Sequence, residues 1–215
     1  MKFCVIGLGR FGYRVATTLA DNGMEVLGID SNESIVASIR DQITQAICLR
    51  VNDETVLRSI GIEEMDTVIV AMGENFAQSI LVTALLKKRL NIPTVITRAV
   101  SEIHKDILKL IGADQVILPE QEVGIRLADN LSYPYAQLIR LTRNFGITQI
   151  KAPSKFVGKT IGSLKLFERY QVRCIGIKRD EEIETIGSDY VVNADEGLVF
   201  AGAMDKLVIV TKLGA

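Results

Sequence analysis

The sequence predicts an α/β fold: a doubly wound parallel sheet, joined through a helical crossover to a small α+β C-terminal domain. Three observations carry this. Over residues 1–120 short β-rich runs alternate with helical stretches, the order that builds a parallel sheet. A glycine-rich turn, Gly7-Leu8-Gly9-Arg10-Phe11-Gly12, separates the first strand from the first helix. After Pro119 the alternation stops and β-like segments take over.

Lys2–Ile6 is an apolar run closed by glycine and reads as a strand, with a helix over Phe11–Asn22. Glu25–Ile29 is the second strand and Ser34–Asp41 the second helix. Ala46–Leu49 is the third strand, followed by a helix over Glu54–Ile60. Thr67–Ala71 is nearly all apolar, as strands covered on both faces are. A long helix, Phe76–Arg89, ends before Pro93. Thr94–Thr97 and Gln115–Leu118 are the fifth and sixth strands, with a helix over Glu102–Ile111 between them.

Beyond Pro119, Glu120–Leu131 reads as a helix, Pro134 breaks the chain, and Tyr135–Asn144 forms another helix ending near Gly146. Strands are expected over Thr148–Ala152, Arg173–Lys178, Glu184–Ile186 and Lys206–Thr211, with a helix over Thr160–Tyr170. The expected domains are therefore 1–131, a nucleotide-binding domain; 132–146, a helical crossover linker; and 147–215, a small α+β domain.

Strand, G-x-G-x-x-G and helix in that order form the context of a Rossmann-like nucleotide site. Gly7 allows the tight turn, Gly9 lets backbone approach a pyrophosphate, and Gly12 lets helix and strand pack closely. The helix N-terminus aims N–H groups and a partial positive charge at the phosphates. Asp30 ends the second strand 18 residues after Gly12. Its carboxylate can accept both ribose hydroxyls and would repel a 2′-phosphate. Arg10, within the phosphate turn, carries a permanent charge able to neutralise phosphates in its own subunit or the next. Arg98 follows the fifth strand on the same sheet edge.

Composition narrows the classes. The chain has 215 residues and a net charge of −1, with no basic run of the kind a nucleic-acid groove needs. No apolar run approaches a membrane span. Hydrophobic residues make up 48%, which suggests apolar surface buried between subunits. Cys4, Cys48 and Cys174 lie far apart in apolar runs and read as buried strand residues in a reducing cytoplasm, with no disulfide or zinc pattern. The one histidine, His104, starts a helix and is expected to be solvated or capping, with a ligand contact as the alternative. No proton relay or metal cluster stands out. Hydride transfer needs a substrate pocket and usually an acid/base group, so an NAD-dependent oxidoreductase is the weaker alternative.

The stretches VIGLGRFG, GID, DTVIVAMGEN, GADQVILPEQEVG and APSKFVGKTIGSLKL resemble the cytoplasmic gating subunits of Ktr/Trk bacterial potassium-uptake systems, which are RCK proteins, regulators of K+ conductance. The resemblance runs through nearly the whole chain and is greatest to the single-lobe Ktr type. It implies no catalysis. It implies a homodimer that assembles into a ring, an octamer, attached to the inner face of the membrane through a K+ transporter or channel subunit. ATP, ADP or NAD(H) would change the ring's shape and so gate K+ flux.

Position by position, the resemblance places Gly7, Gly9, Arg10, Phe11 and Gly12 at the phosphates. Asp30, Ser31 and Asn32 fall at the ribose, and Met72, Gly73 and Glu74 in the loop after the fourth strand. Arg98 and His104 fall near the nucleotide. Glu120 falls at the dimer interface, placed to bind Mg²⁺, Ca²⁺ or the nucleotide. There are two departures. Arg50 stands where the family often has an aspartate facing the adenine, while Val51 can still pack on the ring. Phe167 stands where many Ktr members have the arginine that binds cyclic di-AMP, so that ligand is not expected.

Overall fold

A computed structural model of the chain describes residues 1–73, 75–132, 136–180 and 182–213. They fall into two compact units, Met1–Pro119 and Glu120–Ala215.

The first unit alternates strand and helix in chain order: β1 (Lys2–Ile6), α1 (Arg10–Asp21), β2 (Glu25–Asp30), α2 (Glu33–Ile39), β3 (Gln45–Cys48), α3 (Glu54–Ser59), β4 (Thr67–Val70), α4 (Phe76–Ala84), β5 (Thr94–Arg98), α5 (Glu102–Ile111) and β6 (Gln115–Ile117). Leu85–Arg89 prolongs α4 as a π-helical turn. The strands form one parallel sheet in the order β3-β2-β1-β4-β5-β6. The order reverses between β1 and β4, the place where such sheets open a crevice at their carboxyl ends.

The pleat of this sheet explains its two cores. Cys4 and Ile6 of β1 pack on one face with Ile29, Val68, Val70 and the α4 residues Val82 and Leu86. Val5 packs on the other face with Val26, Ile69 and Ala16 of α1. Alternate residues thus serve opposite layers, and both faces are covered, which is why these strands read as unbroken apolar runs. Each fully buried Val, Leu or Ile contributes about 1.5–3 kcal/mol relative to exposure.

The second unit holds α6 (Pro119–Ser132), β7 (Ala136–Arg140), β8 (Phe145–Lys151), α7 (Leu166–Tyr170), β9 (Val172–Arg179), β10 (Glu182–Thr185), β11 (Gly197–Ala203) and α8 (Met204–Thr211). Its strands form an antiparallel sheet in the order β10-β9-β11-β8-β7. Leu138, Ile150, Ile177, Leu198, Phe200 and Leu207 meet in its core. No helix among the described residues is long and apolar enough to cross a membrane.

Four expectations are corrected here. The helix expected over Tyr135–Asn144, the heart of the helical linker, is replaced by strand β7, which pairs with β8 from Ala136↔Ile150 to Arg140↔Gly146. Leu138 is buried and Ile139 is exposed, the alternation of a half-covered strand. Thr142 Oγ1 closes the turn by accepting from Phe145 N–H at 3.1 Å. The expected strand Lys206–Thr211 is helix α8. Its β-branched residues suit a strand, but Leu207, Val210 and Thr211 are buried at helical spacing. The strand the sequence reading missed is β11.

The helix expected over Thr160–Tyr170 is broken by Lys165, whose φ of +49° is left-handed, between a short 3₁₀ turn and α7. Cys48, expected to be buried, is exposed at the end of edge strand β3, and Cys174 is half-buried. Pro134, expected to break the chain, lies outside the described residues.

Candidate functional site

The turn from β1 into α1 is shaped by two glycines. Gly7 has φ +93°, in the left-handed region, and a Cβ there would press on the Met72 backbone nitrogen at 3.1 Å. A Cβ on Gly12 would run into the Gly7 carbonyl oxygen. The fold itself demands both. Gly9 is different: its φ of −62° suits any residue, and a Cβ there would meet nothing within 4 Å. No protein atom requires position 9 to be bare. The open space in front of it suits a ligand.

Gly9 is also the N-cap of α1, and no side chain caps that helix or places an acid in its first turn. The other four helices that follow strands β2 to β5 cap themselves. Asn32 Oδ1 accepts from Ser34 N–H at 2.9 Å for α2. Asp53 Oδ1 accepts from Val56 N–H at 3.0 Å for α3. Asn75 Oδ1 accepts from Gln78 N–H at 3.0 Å for α4. Ser101 Oγ accepts from His104 N–H at 3.2 Å for α5. The first-turn donors of α1 are left for another acceptor, with the positive end of a 12-residue helix behind them.

Asp30 stands beside this turn. Its Oδ2 accepts from Leu8 N–H at 2.7 Å and its Oδ1 from Asn32 N–H at 2.8 Å. The carboxylate thus braces the glycine turn as well as facing the crevice, and each oxygen keeps lone-pair capacity for a ribose hydroxyl. A cleft runs outward from here, lined by Ile6, Gly7, Ile29, Asp30, Ser31, Leu49, Arg50, Val51, Met72 and Gln78. The structure therefore gathers Gly7, Asp30, Ser31, Arg50, Val51 and Met72 around one opening. Asn32 lies next to it, its side-chain carbonyl engaged in capping α2 and its NH₂ available.

Gln78 lines the cleft too, and the sequence reading missed it. Its Nε2 donates to the Val51 carbonyl at 2.9 Å, tying α4 to the segment after β3. The signal was Asn75-x-x-Gln78, a polar cap residue with glutamine three positions on.

Arg98 ends β5, with its guanidinium carbon 5.8 Å from the centre of the Phe11 ring. It lies against Gly73 so closely that a Cβ there would sit 2.5 Å from Nη1. Phe11, Gly73 and Arg98 thus form a second group on the same sheet edge. Arg10 is the first residue of α1 and is exposed. Glu74 lies outside the described residues.

His104, expected to be solvated or capping, is fully buried. Its ring centre is 4.4 Å from that of Phe76, and its Nδ1 accepts from Val100 N–H at 3.3 Å. Nδ1 as acceptor assigns the proton of the neutral ring to Nε2, and Nε2 has no hydrogen-bond partner among the described residues. Burial holds the pKa of His104 below its ordinary value of 6.5. Glu120 lies in the first turn of α6, in the second unit. Among the described residues no three His, Cys, Asp or Glu side chains are grouped to hold a metal, so Glu120 would need ligands from elsewhere.

Residues 3–119 match the TrkA-N domain and residues 148–208 the TrkA-C domain. The chain is 34% identical over 183 residues to the Ktr system potassium uptake protein C of Bacillus subtilis, covering 85% of this chain and 82% of that protein. Among solved structures, the GsuK RCK domain superposes with a TM-score of 0.61 at 18% identity, over 100% of this chain and 47% of that one. The GsuK channel bound to NAD superposes with a TM-score of 0.56 at 20% identity, over 99% of this chain and 38% of that one. The chain thus spans under half the length of either of these structures. At such identities they speak for the fold alone.

Proposed function

Since the chain belongs to the family that pairs a TrkA-N with a TrkA-C domain and includes the Ktr potassium uptake proteins, we propose that it is a cytoplasmic regulatory subunit of a K+ uptake system. In this reading its first unit binds an adenine nucleotide, ATP, ADP or NAD(H), and the bound state changes the shape of an oligomeric ring that gates a membrane subunit. The chain is a switch rather than an enzyme, held at the membrane through its partner.

The observation that carries this reading is the uncapped N-terminus of α1 with bare Gly9 in front of it, next to a carboxylate at the end of β2. Backbone donors there suit phosphates, and Asp30 suits a ribose. Self-association is supported by α6. None of the described side chains along its 14 residues is buried, although Val123, Ile125, Leu127 and Leu131 are apolar. Exposed apolar side chains on that scale mark an interaction face. Bridging of Glu120 and the phosphates by Mg²⁺ or Ca²⁺ from a second subunit belongs to the same proposal.

A switch needs a ligand that binds two shapes unequally. ATP and ADP share the glycine turn and differ at the terminal phosphate. Arg10, exposed on the first turn of α1, supplies a long permanent charge that can reach a terminal phosphate, in its own subunit or across an interface. The test is small-angle scattering of the wild type and Arg10→Ala with each nucleotide, alongside K+ uptake in a transport-deficient strain carrying the cognate membrane subunit. The wild type should differ in shape between ATP and ADP. Arg10→Ala should bind ADP nearly normally and lose most of that difference in both assays. If the variant keeps the full difference, the switch lies elsewhere.

A further inference from the structure

The strand order β3-β2-β1 lays the cleft out in positions. Phosphates belong at the glycine turn after β1 and the ribose at the carboxylate that ends β2. The base is then carried on to the end of β3. Leu49, Arg50 and Val51 follow that strand, and all three line the cleft. Val51 is buried and Leu49 half-buried, so they give a planar ring an apolar wall. The polar group among them is Arg50. It is exposed, and its guanidinium makes no hydrogen bond or ion pair among the described residues.

The other polar side chains near this end are engaged. Gln78 Nε2 donates to the Val51 carbonyl at 2.9 Å, and Gln78 Oε1 accepts from Asn75 Nδ2 at 3.3 Å. The Asp53 carboxylate caps α3 through Val56 N–H. Asp30, one strand inward, holds Leu8 N–H and Asn32 N–H and faces the ribose position. Of the residues that line the cleft, Asp30 alone is acidic. At the base end the side chains offer a donor fork and no carboxylate.

Granted the nucleotide site proposed above, we infer that Arg50 sets base selectivity, and that the cleft favours a purine with a carbonyl at position 6, guanine or hypoxanthine, over adenine. A guanidinium has five N–H donors in one plane and no acceptor. Adenine presents N7 as an acceptor beside the N6 amino group, which is a donor. One arm of the fork finds a partner there and the other meets an N–H. Guanine and hypoxanthine present O6 and N7 side by side, two acceptors spaced for both arms. In nucleic-acid recognition this bidentate pair discriminates between bases by roughly ten- to hundred-fold. A carboxylate at position 50 would reverse the preference, accepting from N6 and repelling O6. An arginine beside the ribose acid can also hold a 2′-phosphate. Here that phosphate would sit against Asp30, so Arg50 is assigned to the base.

The experiment is calorimetric titration of the wild type, Arg50→Asp and Asp30→Ala with ADP, GDP, IDP and 2′-phospho-ADP. The wild type should bind GDP and IDP about ten-fold more tightly than ADP, and Arg50→Asp should bind ADP the more tightly. Asp30→Ala should weaken all three unmodified diphosphates alike. The inference is overturned if the wild type prefers ADP, if the ratio of GDP to ADP affinity is the same in Arg50→Asp, or if 2′-phospho-ADP binds best and loses most with Arg50→Asp. Diphosphates that bind and depend on Asp30, with no base preference from Arg50, overturn the inference alone. If no diphosphate binds the wild type, the nucleotide site falls with it.

Discussion

The turn that leads into α1 and the turn that leads into α4 have the same task and meet it differently. Each takes the chain from the carboxyl end of a central strand into a helix on one face of the sheet. At α4 the sequence supplies its own acceptor: Asn75 caps the first turn, and Gln78 answers Asn75 and anchors the segment after β3. At α1 it supplies glycine, and the first-turn donors are left to something that is not a side chain. A turn that satisfies itself serves the fold. A turn that leaves donors open at a helix N-terminus, with space in front, is one the fold alone does not account for.

The largest effect should come from the glycine that both packing and phosphate approach depend on. Gly12→Ala puts a methyl group onto the Gly7 carbonyl, so α1 must move away from β1. We expect a loss of about 3 kcal/mol in unfolding free energy by urea titration, from overpacking against rigid backbone. An unchanged midpoint would show that the turn relaxes freely.

Asn75→Ala, the matching change at the other turn, should cost about 1 kcal/mol, the usual value of a lost N-cap. It should leave nucleotide affinity within about two-fold of the wild type, since a cap contributes stability rather than ligand contacts. A variant that melts normally and loses binding would make Asn75 part of the site.

The α5 turn gives the smallest effect and the sharpest pH signature. His104 accepts from Val100 N–H, and its burial lowers its pKa from 6.5. The unfolded chain therefore takes up the proton first as pH falls, and stability drops from about pH 6.5 downward until the folded-state pKa is passed. The shifted carboxylates Glu54, Asp114, Asp129, Asp195 and Glu196 are all lowered from ordinary values of 3.8 or 4.5 and act below that window. Denaturant midpoints between pH 5 and 7 should slope in the wild type and be flat in His104→Gln. Equal slopes would place the titration elsewhere.

How much of this was legible in the sequence differs between the two units for a physical reason. In the first, each parallel strand is buried on both faces and each helix is amphipathic, so Val5, Ile69 and the α1 face announce their elements locally. Gly7, Gly12 and Asp30 could be placed because their roles follow from strand–turn–helix order. In the second unit, position is decided by partners far along the chain. Ile209 and Val210 suit a strand by propensity, but α8 forms because Leu207 and Val210 fill the core against β8 and β11. Leu138 and Ile139 read as helix until β8 pairs with them. At the site, the second role of Asp30 in bracing Leu8 N–H was hidden, because a backbone donor leaves no mark in composition. The burial of His104 was hidden because Phe76, whose ring meets it, lies 28 positions away.

The most direct test fills the open turn with the cap its neighbours have. Gly9→Asp is sterically free, because a Cβ at this position meets nothing within 4 Å. Its carboxylate should satisfy the α1 donors and hold or raise stability by about 0.5 kcal/mol. The same carboxylate occupies and repels the phosphate position. Calorimetric titration with ADP and GDP should therefore show wild-type binding reduced at least about ten-fold in Gly9→Asp, as expected for a lost charge-assisted contact and a new like charge. Undiminished binding in a variant that melts at or above the wild-type temperature would contradict the account, because the phosphates would then not lie at the N-terminus of α1.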